Sequence, residues 1–486
     1  MIQLRPMPSI WSFNQLLGAL SRMNQYSTVV CMYKEMMGCH DFRPDVVTLS
    51  VVIKCFCCFR NVKFGFSVLA TMIKTGIEPD ACTLSTLLHG LCSEGSMVAA
   101  MELFEEIVKK EHTLDEITYA IVINGFCKVG ETRKALEVLK RMCDDERIKP
   151  NVGCFNPIID SLCKERRINE AVDVFEDMIN RGVQPDVISY NCLVHGLCNL
   201  DRWEDVKKFL IKMLDFGISP DVCTYNVLID SLCKKDKPLA ALSLFGSMTR
   251  KGIGPTIVTF NSLIFALCKS GQWKKVTQLI ENMVLYGIAP NVVTFNTLLD
   301  TRCKEGSTTE AIFLVEAMLD QGVLPSPITY NTLLCGLCHT RKLEEAKRLF
   351  DGMASQNIFP HIRTLNIILN ALSNEGMMEK AQALFEAVIN HGEELNTITY
   401  NTLIKGYCHR GEIDKAKYVF DRMAVEGAIP DTISYNTLVS GNVKVERIDV
   451  ALKLLKDMIR NGLVPDRVTQ NILKSIHAYK LEASIQ

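Results

Sequence analysis

The sequence predicts an all-α fold, a right-handed superhelical α-solenoid of about thirteen 35-residue helix-turn-helix repeats. Three observations carry this. Pro44-Asp45, Pro79-Asp80, Pro185-Asp186, Pro220-Asp221, Pro430-Asp431 and Pro465-Asp466 keep a 35-residue period, and Pro255, Pro290, Pro325 and Pro360 fill most of the gaps. The register slips by one residue near Glu146–Pro150 and once in the first repeat. Apolar residues inside each period fall at helical spacing, as Tyr190, Leu193, Val194 and Leu197 do. One hairpin of this size cannot bury two apolar stripes alone, so neighbours must stack and share a core. A length of 486 residues would ordinarily suggest about three domains. The period instead predicts a short segment over 1–9, thirteen repeats over 10–466, and a partial repeat or cap over 467–486.

Within a repeat the elements follow in order. Ser189, Thr224, Thr259 and Thr294, each just before an aromatic residue, are expected to cap the first helix. A short turn such as Lys304-Glu-Gly306 leads to a second helix, as over Leu343–Met353. Gly182, Gly217, Gly252, Gly287 and Gly322 end that helix at the position that favours glycine, and the proline blocks its continuation. Core columns should be Ala100, Ala135, Ala171, Ala241, Ala311, Ala346, Ala381, Ala416 and Ala451, with Met72, Met178, Met213, Met248, Met283 and Met318 filling gaps.

Ten of the twenty cysteines share one slot: Cys57, Cys92, Cys127, Cys163, Cys198, Cys233, Cys268, Cys303, Cys338 and Cys408. Equivalent slots in stacked helices lie roughly 8–10 Å apart, too far for a disulfide. A column of reduced, buried thiols is expected. The Cys55/Cys58 and Cys335/Cys338 pairs lie too far apart along a stiff stack to share a zinc ion.

Charge gives little direction: 54 basic residues meet 55 acidic ones. Met1–Ile10 has no apolar core segment, so no secretory signal or targeting peptide is visible. No stretch reaches the ~18–20 apolar residues of a membrane span.

Three columns do not look like packing. The first is Asn14, Ser50, Ser85, Ala120, Asn156, Asn191, Asn226, Asn261, Asn296, Asn331, Asn366, Asn401 and Asn436. The second ends each repeat: Asp45, Asp80, Asp115, Asn151, Asp186, Asp221, Thr256, Asn291, Ser326, His361, Asn396, Asp431 and Asp466. Both admit a local reading as caps or turn residues and a ligand reading, and the residues alone leave both open. The third, Arg22, Lys128, Lys164, Lys234, Lys269, Lys304 and Lys444 with His339 and His409, makes a basic ladder suited to phosphate.

Strings such as Val258-Thr-Phe-Asn-Ser-Leu-Ile264, Gly336-Leu-Cys338 and Gly462-Leu-Val-Pro-Asp466 resemble the pentatricopeptide repeat family in its P-type form over residues 10–466. Pro8-Ser-Ile-Trp-Ser-Phe-Asn14 and Cys55-Phe-Cys57 resemble the plant restorer-of-fertility-like subgroup. The resemblance implies single-stranded RNA as partner, one base per repeat, with the two polar columns as base readers. It implies uracil for Asn14/Asp45, Asn156/Asp186, Asn191/Asp221, Asn401/Asp431 and Asn436/Asp466, and guanine for Ser50/Asp80 and Ser85/Asp115. It implies cytosine for Asn296/Ser326 and a pyrimidine for Asn261/Asn291 and Asn366/Asn396. Ala120/Asn151, Asn226/Thr256 and Asn331/His361 depart from the family's pairs. Bases would be sandwiched by Val47, Ile117, Ile188, Val258, Val293, Ile328, Ile398 and Ile433, a pattern that Gly153 and Arg363 break. Implied too are a plant mitochondrion, with the plastid as alternative, and recruited RNA-processing proteins. No catalytic motif, cofactor, metal site, membrane contact or small-molecule substrate is expected. The alternative from another class is a helical scaffold that binds protein.

Overall fold

The computed structural model describes residues 9–38, 43–109, 115–145, 147–355, 358, 360–390 and 395–483. Apart from Ser9, the expected N-terminal segment lies outside the described residues. So do Glu146, at the register slip, and the last three residues of the C-terminal cap. Among the described residues there are 27 helices and no strand, from Ile10–Arg22 to Arg467–Ala483.

The chain forms two compact units, Met1–Pro255 and Thr256–Gln486. The first holds seven helical hairpins; the second holds six and the final helix. In both, a repeat's first helix packs on its own second helix and on the first helices of neighbouring repeats. The alanine and methionine columns lie at this seam: Ala100, Ala171, Ala311 and Ala416, like Met72, Met178, Met248 and Met318, are fully buried. Gly182, Gly217, Gly252, Gly287 and Gly322 take φ of +70° to +79°, the left-handed conformation expected where the second helix stops.

The helix start needs correction. The cap is not the Ser or Thr before the aromatic but the last residue of the preceding repeat. Asp186, Asp221, Asn291 and Asp431 accept hydrogen bonds from the backbone N–H of Ser189, Thr224, Thr294 and Ser434 at 2.8–3.1 Å. The hydroxyls of Ser189 and Thr224 lie 3.2 Å from the cap backbone N–H and close a reciprocal capping box. The hydroxyl residue thus stands at the third helical position, where it is buried.

The cysteine column is free thiol, and its packing partner is specific. Glycine sits in the following first helix opposite each of several column cysteines. A Cβ on Gly90, Gly125, Gly196, Gly336 or Gly441 would fall 2.5–2.6 Å from the sulfur of Cys57, Cys92, Cys163, Cys303 or Cys408. The sulfur fills the space that glycine leaves open. Burial pushes these thiols up, Cys57 and Cys163 to about 12 and Cys92, Cys303 and Cys408 to about 11.

Candidate nucleic-acid interface

The capping box positions the two polar columns. Thr48 is buried beneath the start of helix Val46–Cys58, and its backbone N–H donates to Asp45 Oδ1 at 2.8 Å. Its hydroxyl lies 2.7 Å from Asn14 Oδ1 in the preceding repeat, and Asn14 Nδ2 donates to Asp45 at 2.9–3.0 Å. Cap, hydroxyl and asparagine form a closed triangle across two repeats. The triangle recurs for Asn156, Ser189 and Asp186, for Asn191, Thr224 and Asp221, for Asn401, Ser434 and Asp431, and for Asn436, Thr469 and Asp466, with amide-to-carboxylate distances of 3.1–3.2 Å. Asn261/Asn291 and Asn296/Ser326 make the looser version at 3.4 Å. At Asn366/Asn396 only the amide leg forms, at 3.4 Å, and Asn366 Oδ1 is buried without a partner among the described residues. Asparagine in this column therefore does not cap its own helix; it joins the cap of the next.

Serine changes the triangle. Ser50 Oγ donates to Val46 O and meets Thr83 Oγ1 at 2.6 Å, and Ser85 meets Thr118 at 2.9 Å. Thr83 and Thr118 donate to Asp80 and Asp115, but the shorter serine leaves open the space the amide would take. Two departing repeats are visibly different. Asn151 has Cys154 in place of the Ser/Thr hydroxyl, and Ala120 offers no amide. Asn331 Oδ1 is buried without a partner among the described residues, while His361 turns its ring to Thr364. Asn226 belongs to one unit and Thr256 to the other.

Several carboxylates of this column are biased toward ionisation. Burial works to raise Asp45, Asp221 and Asp431, but the backbone and side-chain donors on each outweigh it and hold the group below the usual carboxylate range. For Asp466 the Thr469 backbone donor is the largest cause of the lowering.

The aliphatic column stands in solvent. Val47 is 53% exposed and Ile328 62%, and Ile117, Ile188, Val258, Val293, Ile398 and Ile433 lie between them. Folding alone gives no reason to expose one aliphatic residue at the same place in repeat after repeat. Two residues missed from sequence share the slot: Trp11, 68% exposed, two places after the cap Ser9, and Val468, 54% exposed, in the final helix. The repeating frame would have found both, Trp11 three places before Asn14 and Val468 two places after Asp466. Cys82 and Cys223 occupy the slot as exposed thiols.

Walls and floor meet in clefts. One of about 800 Å³ is bounded by Val293 and Ile328, with Asn296 between them and Lys304 further along. Another of about 350 Å³ is bounded by Ile433 and Val468, with Asn436 and Asp466 between them and His409 and Lys444 along the side. The lysines of the ladder are exposed, and Lys164, Lys234 and Lys304 each contact an aspartate of their own helix at 2.5–2.6 Å. Among the described residues no helix is long and apolar enough to cross a membrane.

The model of the PPR repeat family matches residues 44–93, 79–128, 150–199, 185–234, 220–269, 255–304, 290–339, 325–374, 395–444 and 430–475. The single PPR repeat model matches 11–40, 117–146 and 363–393. This chain belongs to the pentatricopeptide repeat family. A mitochondrial pentatricopeptide repeat-containing protein of Arabidopsis thaliana is 35% identical over 78 residues, 16% of this chain and 12% of the relative. A second mitochondrial member from the same plant is 41% identical over 64 residues, 13% of this chain and 11% of the relative. The matched stretches thus cover about an eighth of these relatives' length. Among solved structures, the pentatricopeptide repeat protein PPR10 from maize matches 99% of this chain and 80% of its own at a TM-score of 0.59 and 22% identity. PPR10 in complex with an 18-nt psaJ RNA element matches 97% of this chain and 78% of its own at a TM-score of 0.51 and 22% identity. These two likenesses establish a shared fold.

Proposed function

We propose that this pentatricopeptide repeat protein binds single-stranded RNA by sequence, one base per repeat, and has no chemistry of its own. The observation that carries the proposal is the repeated triangle. In eight repeats a side-chain amide is held 2.9–3.4 Å from the cap of the next repeat. In the second unit the Asn436/Asp466 pair lies in a cleft walled by Ile433 and Val468, and Asn296 lies in one walled by Val293 and Ile328. Such a cleft suits a flat, unstacked base: aliphatic walls cover its faces, and an amide beside a carboxylate offers both a donor and an acceptor to its edge. An ionised Asp accepts from a ring N–H, as uracil presents. Where Ser50 or Ser85 replaces the amide, the open space suits a purine.

Read N to C against 5′ to 3′, the expected target is U-G-G-?-U-U-?-Y-C-?-Y-U-U. Val468 adds a second wall for the last base, and Trp11 an aromatic wall for the first. The mitochondrial names of the relatives support an organellar transcript as target and a mitochondrial site of action, and PPR10's RNA complex supports RNA as the partner. Processing, stability or translation of that transcript would then proceed through recruited proteins or simple occupancy. The test is selection of bound RNA from a random pool by the purified chain. Enrichment of the string above is expected; an unrelated enriched motif overturns the assignment of bases to repeats. No enrichment at all favours the protein-binding scaffold.

A further inference from the structure

Three rungs of the basic ladder are already occupied. Lys164 Nζ lies 2.5 Å from Asp160 Oδ2, and Lys234 and Lys304 lie 2.6 Å from Asp230 and Asp300. In each pair the acid precedes the lysine by one helical turn, so both project from one helix face. That face includes the base-reading column, since Asn296, Asp300 and Lys304 mark successive turns and all three line the cleft between Val293 and Ile328. Asn156, Asp160 and Lys164 repeat the spacing, as do Asn226, Asp230 and Lys234. Elsewhere on the ladder the place four residues earlier holds no acid: Gly18 precedes Arg22, Asn124 precedes Lys128, Phe265 precedes Lys269, and Ser440 precedes Lys444. The acids stand in three alternate repeats.

An exposed pair of this kind adds little to folding, yet at Asp300 it places a carboxylate in a cleft that would receive a polyanion, and Asp160 and Asp230 hold the same place on their helices. We infer that Asp160, Asp230 and Asp300 are electrostatic brakes on RNA binding. Each neutralises the lysine one turn further on, removes a phosphate contact, and repels the backbone directly. Sequence-independent affinity and its salt dependence fall while base contacts are untouched, so matched and unmatched RNAs are weakened by about the same factor. The inference rests on the RNA reading above. Each phosphate contact on a single strand contributes about 0.7 to the log–log slope of affinity against salt, so neutralising three lysines makes that slope shallower by about 2.

The experiment compares the full chain with D160N/D230N/D300N. Asparagine keeps the shape and has nearly the helix propensity of aspartate, and circular dichroism verifies the fold. The probes are the RNA UGGAUUAUCAUUU and a scrambled RNA of the same composition, each titrated at several salt concentrations. Both RNAs should bind the variant more tightly, with a slope steeper by about 2, so that raising salt from 50 to 200 mM costs it roughly 16-fold more affinity than the parent. The two RNAs should gain by about the same factor, and adding K164Q/K234Q/K304Q should abolish the gain. Unchanged affinity and slope would overturn the brake. So would weaker binding by the variant, which would mean that the carboxylates contact base or sugar directly. A parent chain that binds neither RNA even at low salt would remove the RNA reading itself, and the brake with it; binding with an unchanged slope removes the brake alone.

Discussion

Replacing Gly125 with alanine tests how neighbouring repeats fit together. Gly125 lies inside helix Glu116–Lys128, where alanine is ordinarily the better residue by about 0.5–1 kcal/mol. Here the new Cβ would stand 2.6 Å from Cys92 Sγ, 2.9 Å from Cys92 Cβ and 3.2 Å from Met97 Cε. Two of these atoms belong to a side chain anchored on the neighbouring helix and cannot simply swing away. Overpacking of this kind costs about 1–3 kcal/mol, so the net expectation is a loss of about 1 kcal/mol, or roughly a fivefold rise in local opening. Gly246, inside helix Pro238–Arg250, has nothing within 4 Å of its ideal Cβ. There the same substitution should stabilise by about 0.5–1 kcal/mol. Cys92→Ala removes the closest atom, so the double variant should be less destabilised than the two single changes together, with a coupling of about 1 kcal/mol. Long arrays do not unfold in one step. The assay is therefore native-state hydrogen exchange, followed on peptides covering Ala81–Glu94, Glu116–Lys128 and Pro238–Arg250. Equal protection of the Gly125→Ala and Gly246→Ala helices, or additivity of the Cys92 and Gly125 changes, would refute the interlock.

Three further outcomes are expected. Ser50→Asn and Ser85→Asn should supply an amide to Asp80 and Asp115, as Asn14 does to Asp45, and shift the preferred base at the two positions from G to U in a random-pool selection; a protein scaffold would show no base-dependent change. The pKa values of Asp45, Asp221, Asp431 and Asp466 are lowered in the folded chain, so their stabilisation is fully present above the unfolded value of about 3.9 and lost as pH falls through the folded values. Thermal melts should therefore be insensitive to these groups between pH 5 and 8 and worsen below about pH 4, and a large loss attributable to them near pH 6 would contradict the capping geometry. Maleimide at neutral pH should label exposed Cys82 and Cys223 but spare Cys57, Cys163 and Cys233, whose burial raises them to about 12. Bound RNA should then protect Cys82 and Cys223 and leave Cys31, on a second helix, reactive.

Proline spacing and the apolar stripes were enough to locate the hairpins, because both are properties of single residues repeated in register. What required coordinates were relations between residues. Ser, Thr and Asp suit both the cap and the third helical position, and a capping box uses both at once, so Thr224 and Asp221 cannot be assigned by residue type alone. Cys92 and Gly125 lie in different helices, and only stacking reveals that one fills the other's missing side chain. The Asp-x-x-x-Lys spacing at Asp160, Asp230 and Asp300 is present in the sequence. A column-wise count of basic residues passes over it, because the neutralising partner lies along the helix and outside the column.

The local and ligand readings of the terminal column prove compatible, and their compatibility explains its composition. A helix start buried against the previous repeat needs an acceptor for its orphan N–H groups. Asp, Asn, Ser and Thr supply one with the side chain fixed in direction. Those same residues can pair with a base edge, and a carboxylate has two oxygens. At Asp45 one oxygen serves Thr48, and the Asn14 amide spans both at 2.9–3.0 Å. On the proposed reading, capping would hold the reader still before any RNA arrives and lower the ordering cost of each contact. It also makes fold and specificity inseparable at this position. Asp431→Ala should cost about 1 kcal/mol of local stability as a lost cap and erase base preference in the same repeat, whereas Asp431→Ser should keep the cap and change only the preference. Hydrogen exchange over Thr432–Lys444, paired with random-pool selection, separates the two effects. If Asp431→Ser destabilised that helix as much as alanine does, or left the preferred base unchanged, the cap and the reader would not be one side chain.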